Sequence, residues 1–193
     1  MGLWQVFYEG WQMECCGTPF TVGEEVSWQL LFTDADGVLG GGWYEELSKI
    51  VGPVEEDLPG DADGSVRVLR DESGLTVALS GESGADVGAG DWIRLVGLLA
   101  VETHGGQWPE TRGRVRAVRV VTQEYAETAP GSRSWEPVRG DGARRLRSVE
   151  ECPKWFGGGT SDSRGRRAVE AGVLVTLDVW EGAVKAQGTS GVG

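Results

Sequence analysis

The chain has 193 residues, three cysteines and a formal net charge of −12. It is long enough to bury one hydrophobic core without disulfides, and an odd number of cysteines argues against a secreted disulfide framework. No apolar run approaches the roughly 18 residues that cross a bilayer, and no basic residue precedes the short apolar segment 4–8 as it would in a signal peptide. We therefore expect a cytoplasmic protein with no membrane partner.

Strands dominate the predicted secondary structure. The 32 glycines and nine tryptophans are spread along the chain, which is typical of β-rich folds with glycine-marked turns. Residues 71–74 predict a tight turn that makes 66–79 a hairpin. Alternating apolar and polar residues predict strands at 4–8, 25–32, 66–70, 75–79, 92–102, 114–125 and 173–180.

Helix is scarce in the sequence pattern. Residues 44–51 predict one short helix, because Leu47, Ile50 and Val51 can share a face. A second is predicted at 147–156, although Pro153 would end or kink it. The fold class that follows is mainly β, with a small OB-like β-barrel or a strongly twisted antiparallel sheet, one or two short helices and long glycine-rich loops.

We expect a single β-rich domain over residues 1–181. Segment 52–64 is rich in proline, glycine and acids, and it predicts a long loop or a soft internal boundary. Segments 126–145 and 157–167 are also predicted as loops, and 182–193 as a flexible tail. Segments 22–30 and 89–95 each place a glycine and an acid before an alternating strand. Two related barrels would explain that pattern, and we favour one sheet system.

Charge is distributed unevenly. Residues 1–63 hold thirteen carboxylates and one base, Lys49, whereas 112–167 hold thirteen bases and seven acids. These regions could face each other within one chain or across a self-associated pair, or they could simply be solvated surface.

The two adjacent cysteines, Cys15 and Cys16, raise the sharpest chemical question. With Cys152 and His104 they complete the four-ligand set of a zinc site or a thiol-dependent centre. The spacing differs from the usual pairs of zinc ligands, and neighbours on a strand point to opposite faces. Glu14 also disfavours a reactive thiolate. We therefore favour a packing and turn role for the pair, with no cofactor.

A basic stretch is the strongest candidate for nucleic-acid binding. Arg112, Arg114 and Arg116 share one face of a strand, with Arg119 close behind, as in a groove that follows single-stranded nucleic acid. The acidic net charge weighs against that function, since phosphate binding depends on accumulated positive potential. Salt bridges within the chain explain the same residues.

Other motifs carry no specific chemistry. The Asp-Ala-Asp-Gly repeats at 34–37 and 61–64 fail the calcium-loop register and predict turns. Glycine clusters at 40–42 and 157–159 lack the ending of a phosphate loop. No nucleophile elbow is present, and no catalytic residue is predicted.

The cysteine segment resembles the opening of an uncharacterised actinobacterial family, known only as a domain of unknown function. The resemblance implies no activity, ligand or site residue, and the OB-like barrel is a fold analogy only. It continues through Gly-Arg-Val-Arg at 113–116 and the strand 172–177. Its first part comprises Trp11, Gln12, Met13, Cys15, Cys16, Gly17, Pro19, Phe20, Val22, Gly23, Val26 and Trp28.

The sequence thus predicts a non-enzymatic intracellular binding or adaptor domain of unknown ligand, with a protein partner or self-association. The alternatives are a zinc- or thiol-dependent protein using Cys15, Cys16, Cys152 and His104, and an OB-like binder of single-stranded nucleic acid.

Overall fold

The computed structural model describes residues 2–33, 35, 40, 46–59, 65–79, 88–105, 108–140 and 142–180. Within these residues the chain forms ten strands and one regular helix. Their bounds are β1 Gly2–Glu9, α1 Gly10–Cys15, β2 Glu25–Thr33, β3 Ser48–Pro59, β4 Ser65–Arg70, β5 Thr76–Leu79, β6 Trp92–Glu102, β7 Thr111–Glu127, β8 Trp135–Pro137, β9 Arg144–Val149 and β10 Arg166–Val179.

Eight strands close into a barrel. The order around the ring is β10, β1, β6, β3, β4, β5, β2 and β7, and pairing of β7 with β10 completes it. Strands β8 and β9 pair with β7 outside this ring, while β2 also pairs with β6. The predicted mainly β class and the small barrel are therefore confirmed.

The core fills the barrel because the strands alternate. In β10, Val173, Val175, Leu177 and Val179 are fully buried in the main cluster of apolar side chains. Leu174 points the other way into a second buried cluster. Burial of each such side chain contributes on the order of 1.5–3 kcal/mol, so the two clusters dominate the stability of the barrel.

Gly172 lets β1 approach β10 closely at the start of α1. Its φ is +148°, and a Cβ there would lie 2.2 Å from the carbonyl oxygen of Tyr8. The pairing of β10 with β7 shifts register between Glu170 and Gly172, which marks a bulge. The end of β1 is thereby held against β10, and α1 begins from that fixed point.

Both predicted helices are wrong. In the described part of 44–51, Ser48 onward belongs to β3, which pairs with β6. Residues 144–149 form β9, and the chain from 150 to 156 has no regular helix. Tertiary pairing overrides weak local helix preference in both places. The predicted loop at 52–64 is likewise wrong up to Pro59, where β3 ends.

The predicted strands and one turn are confirmed. All seven predicted strands coincide with observed ones, and 92–102 matches β6 at both ends. The turn at 71–74 is closed by a hydrogen bond from the Asp71 amide to the carbonyl of Leu75. The predictions for 61–64 and 182–193, and for 34–37 apart from Ala35, lie outside the described residues. Within those residues, no helix has the length and apolar character needed to cross a bilayer.

Candidate metal centre

Parallel pairing of β1 with β6 assembles the site. Val6 pairs with Leu99 and Phe7 with Ala100, so both strands run the same way and their carboxyl ends meet at one edge of the barrel. α1 follows β1 directly and carries Cys15 at its last position. His104 follows β6 two residues after its end. His104 therefore lies next to Cys15 and Cys16, although it is 89 and 88 positions away from them in sequence.

His104 Nε2 faces both sulfurs of the cysteine pair. It lies 3.4 Å from Cys15 Sγ and 3.2 Å from Cys16 Sγ. All three side chains are exposed, and their ligand atoms lie within 4.8 Å of one another. The two sulfurs are joined as a vicinal disulfide, whose reduction frees two thiols beside the imidazole.

The end of α1 places both cysteines on the same side. Cys16 is the C-cap of the helix, and the amides of Cys16 and Gly17 both donate to the carbonyl of Gln12, each at 3.0 Å. A Cβ on Gly17 would lie 2.8 Å from the Cα of Met13, so only glycine fits this close turn. A helix end followed by a turn thus replaces the strand alternation that would have separated the sulfurs. The turn agrees with the sequence analysis, whereas the expected packing role is wrong because both cysteine side chains are exposed.

Lys154 secures the same turn from another part of the chain. Its Nζ donates to the carbonyl of Met13 at 2.6 Å and to that of Gly17 at 2.9 Å. Both carbonyls lie at the helix end, where backbone donors are few, and that of Met13 also accepts from the Gly17 amide at 3.2 Å. The cationic lysine therefore completes the hydrogen bonding that keeps the cysteine pair in place.

A hydrogen-bonded chain fixes the imidazole tautomer. Gln12, which is buried, accepts at Oε1 from the Thr103 hydroxyl at 2.8 Å and from its amide at 3.1 Å. Because the hydroxyl donates to Gln12, it accepts from His104 Nδ1, 2.9 Å away. The proton of the neutral ring therefore sits on Nδ1, and the lone pair on Nε2 points at the sulfurs.

Two further contacts orient His104. The Trp11 indole stacks on the imidazole with ring centroids 5.0 Å apart and an interplanar angle of 25°. Glu102 accepts a hydrogen bond from the His104 amide at 2.6 Å, and its carboxylate also lies 4.0 Å from Nδ1. Thr103, at 2.9 Å, is the nearer partner of that nitrogen. Trp11 thus packs on the face of the imidazole, Glu102 binds the His104 backbone amide, and Thr103 binds Nδ1.

Cys152 lies in the core, apart from the other three candidate ligands. It is 1% exposed, and its amide donates to the carbonyl of Phe20 at 2.9 Å. Burial, together with the charge of Glu151, raises the pKa of its thiol to about 12. The sequence therefore named three residues that the structure brings together, and a fourth that packs as an apolar side chain.

The four candidate arginines all lie on the outer surface of β7. Ala117 pairs with Thr176 and Val115 with Leu177, so β7 carries one extra residue, Arg116, at this point. Before the bulge the odd-numbered residues 111, 113 and 115 are buried, and after it the even-numbered residues 118 and 120 are buried. The extra residue therefore exchanges which positions face outward. Arg112, Arg114, Arg116 and Arg119 consequently share one side despite their uneven spacing.

Three of these arginines are occupied by contacts within the chain. Arg112 is exposed. Arg114 donates a hydrogen bond to Glu25 at 2.7 Å, and its guanidinium also lies over the Trp180 ring. Arg116 donates from Nε to Asp178 at 3.0 Å. Arg119 donates to the side chain of Gln5 at 2.9 Å.

Three supporting residues of the cluster were not identified from the sequence. Gln12 and Trp11 belong to a six-residue helix without a capping signal, and Thr103 is an ordinary residue after a strand. The signal available in the sequence was that His104 lies two residues after a correctly predicted strand. The parallel pairing of this strand with β1 could not be predicted from the sequence pattern.

The fold and the cluster define a β-barrel protein with an exposed pair of disulfide-linked cysteines and an imidazole at the edge where β1 and β6 end. The chain matches the model of the Family of unknown function (DUF6578) over residues 2–179, and it belongs to that family. No curated protein and no solved structure matches it. The resemblance to an uncharacterised family is confirmed, while an actinobacterial origin stays a prediction.

Proposed function

We propose that this protein binds Zn²⁺ through Cys15 Sγ, Cys16 Sγ and His104 Nε2. The observation that carries the proposal is the convergence of one imidazole lone pair on two sulfurs, at 3.4 and 3.2 Å. Thiolate and neutral imidazole are the preferred ligands of zinc in proteins. A histidine that ligates zinc usually donates its other ring N–H to a hydrogen-bonding partner. Thr103 is that partner here.

The distances fit a tetrahedral ion. With Zn–S near 2.3 Å and Zn–N near 2.0–2.1 Å, a sulfur and a nitrogen on one ion lie about 3.6 Å apart. The two observed separations, 3.4 and 3.2 Å, need only a small expansion. Two sulfurs on the same ion lie about 3.8 Å apart, so the disulfide must be reduced before zinc can bind.

The site leaves one coordination position open. Among the described residues, the group of metal-ligating side chains comprises these three alone. Zinc centres with three protein ligands hold water or an external ligand in the fourth position. The proposed centre is therefore of the open kind, accessible from solvent because all three side chains are exposed.

The disulfide supports a second candidate function, a reversible thiol–disulfide couple. In it two thiols lose two electrons and two protons to a peroxide, which is reduced to water as the sulfur–sulfur bond forms. Both sulfurs are exposed, and the Nε2 lone pair beside them can accept a thiol proton. Zinc binding and disulfide formation use the same electron pairs and exclude each other.

Zinc titration of the reduced protein tests the proposal. Protein reduced with a phosphine and handled without oxygen is expected to bind one Zn²⁺, and Co²⁺ in its place should give thiolate-to-cobalt absorption. Cys15→Ser, Cys16→Ser and His104→Ala should each lower affinity by more than the roughly 10–100-fold that loss of a supporting residue costs. Cys152→Ala is the matched control and should bind like the wild type.

Two results would overturn the zinc proposal. One is the lack of stoichiometric binding by fully reduced protein whose circular dichroism is that of a folded barrel. The other is binding that His104→Ala leaves unchanged.

The adaptor and self-association hypothesis remains a separate prediction. The Arg114–Glu25 pair joins the basic stretch to the acidic N-terminal third within one chain. Sizing at low and high ionic strength checks for association between chains, because charge-driven contacts weaken as salt rises.

A further inference from the structure

Trp11, which stacks on His104, also lines a cavity. The cavity has a volume of about 380 Å³ and lies beside α1, formed with β7, β10 and the segment at 156–158. This volume lies in the range of small-molecule sites. Its lining includes four aromatic residues, Phe7, Trp11, Tyr125 and Phe156, and three carboxylates, Glu9, Glu14 and Glu170.

Protein hydrogen bonds hold each of the three carboxylates. Glu14 Oε1 accepts from the Phe156 amide at 2.9 Å, and Glu170 Oε2 accepts from the Gly157 amide at 2.9 Å. Glu9 Oε2 accepts from the indole N–H of Trp11. Their side chains are thus ordered before any ligand arrives, which lowers the entropy cost of binding.

Two of these carboxylates retain an oxygen for a ligand. Glu170 also binds Arg147, at 3.0 Å from Oε1, so both of its oxygens are occupied. Glu9 Oε1 and Glu14 Oε2, in contrast, have no hydrogen-bond partner among the described residues. The cavity therefore offers two acceptor oxygens that carry negative charge and lack a donor.

The electrostatic character of the cavity is negative. No lysine, arginine or histidine is among the described residues that line it. Burial raises the pKa of the Tyr125 hydroxyl, and the charge of Glu9 raises it further, against a smaller opposite effect from Arg167. Glu9 and Tyr125 both line the cavity, so the charge of Glu9 acts on one of its aromatic residues.

We propose that this cavity binds a guanidinium group. A planar guanidinium stacks on aromatic faces and donates N–H bonds to two carboxylates at once, so it satisfies both kinds of lining group. A quaternary ammonium would leave the free carboxylate oxygens without donors, and an anion would be repelled. The inference is independent of zinc, and its test uses metal-free protein in a chelator.

The probe is butylguanidinium, with the uncharged, nearly isosteric butylurea as its matched control. Amide and indole NMR signals of Gly10, Trp11, Phe156 and Gly157 should shift saturably with the cation and stay in place with the urea. A second titration uses Nα-acetyl-arginine amide, which mimics an arginine side chain within a peptide. Comparison of the two affinities shows whether the cavity prefers a small free guanidinium compound or a peptide arginine. Binding of either guanidinium compound supports the proposal.

Substitutions then locate the binding. Glu14→Gln and Glu9→Gln should each weaken butylguanidinium about 10-fold, because an amide keeps the acceptor oxygen but removes the charge. Glu72→Gln is the control, because Glu72 is an exposed carboxylate away from the cavity. Its neighbour Ser73 accepts a hydrogen bond from Trp4, near the start of β1, whereas the cavity lies at the end of β1. The Glu72→Gln variant should bind like the wild type.

Three outcomes would overturn the proposal. These are no saturable shift with either guanidinium compound, equal shifts with butylurea, or affinity unchanged in both Glu14→Gln and Glu9→Gln.

Discussion

Thr103 donates two hydrogen bonds to one oxygen of Gln12, at 3.1 Å from its amide and 2.8 Å from its hydroxyl, across 91 positions of sequence. Gln12 is buried in α1, and Thr103 follows β6. The pair links the helix that carries both cysteines to the segment that carries His104. It also leaves the hydroxyl with acceptor capacity only, which places the imidazole proton on Nδ1.

Removal of the Thr103 hydroxyl should weaken zinc binding while leaving every ligand in place. Thr103→Val keeps the shape of the side chain but leaves His104 Nδ1 without its 2.9 Å acceptor. Loss of such a partner typically costs 10–100-fold in metal affinity, and we expect about that here. Competition with a chromophoric chelator measures it. Thr103→Ser should restore affinity, and a valine variant that binds normally would contradict the role.

The sequence could predict the strands but not the neighbours of the cysteine pair. The apolar and alternating pattern of 92–102 predicted both ends of β6 correctly; exposure alternates over 92–96, and 97–101 are all buried. The parallel pairing of Val6 with Leu99 depends on the whole barrel closing, and no local pattern encodes it. His104 was a candidate ligand from its residue type, and its place beside the sulfurs came from that pairing.

The two mistaken helices have the same physical origin. Ile50 is spaced to share a helix face with Leu47, yet it is fully buried in β3, paired with Leu95. A short apolar run fits either period, and long-range pairing decides between them. Conversely, α1 is only six residues long and has no side-chain N-cap hydrogen bond, so it lacked the signals by which helices are recognised.

Oxidation should release the metal. One equivalent of hydrogen peroxide added to the zinc-loaded protein is expected to join Cys15 to Cys16, because the sulfur electron pairs that bind zinc are consumed in the new bond. A zinc-responsive dye measures the release, and intact mass confirms the loss of two hydrogens. Phosphine reduction should restore binding. Cys152→Ala should respond like the wild type, whereas zinc retained by fully oxidised protein would contradict a shared set of sulfurs.

Lys154 should stabilise both the fold and the metal site. Lys154→Met removes the donor to the carbonyls of Met13 and Gly17, and hydrogen bonds from a charged group to such carbonyls stabilise by about 2 kcal/mol. We expect a fall of about that size in the free energy of unfolding, measured with urea, and weaker zinc binding. Lys49→Met is the control, because Lys49 is exposed in β3. Equal stability of the two variants would show that Lys154 does not secure the turn.

Cys152 should make stability fall at alkaline pH. Its thiol has an ordinary pKa of 9.0, which burial first and the charge of Glu151 second raise to about 12 in the folded protein. Above the ordinary value the unfolded chain loses this proton while the folded chain keeps it, so the unfolded state is favoured as pH rises. The stabilising contribution is complete below 9.0 and is lost on the way to about 12. The free energy of unfolding should therefore decline by up to about 1.4 kcal/mol per pH unit through this group. Urea titrations of wild type and Cys152→Ala across this interval isolate the effect, since the alanine variant lacks the thiol. Parallel pH profiles for the two proteins would refute the assignment.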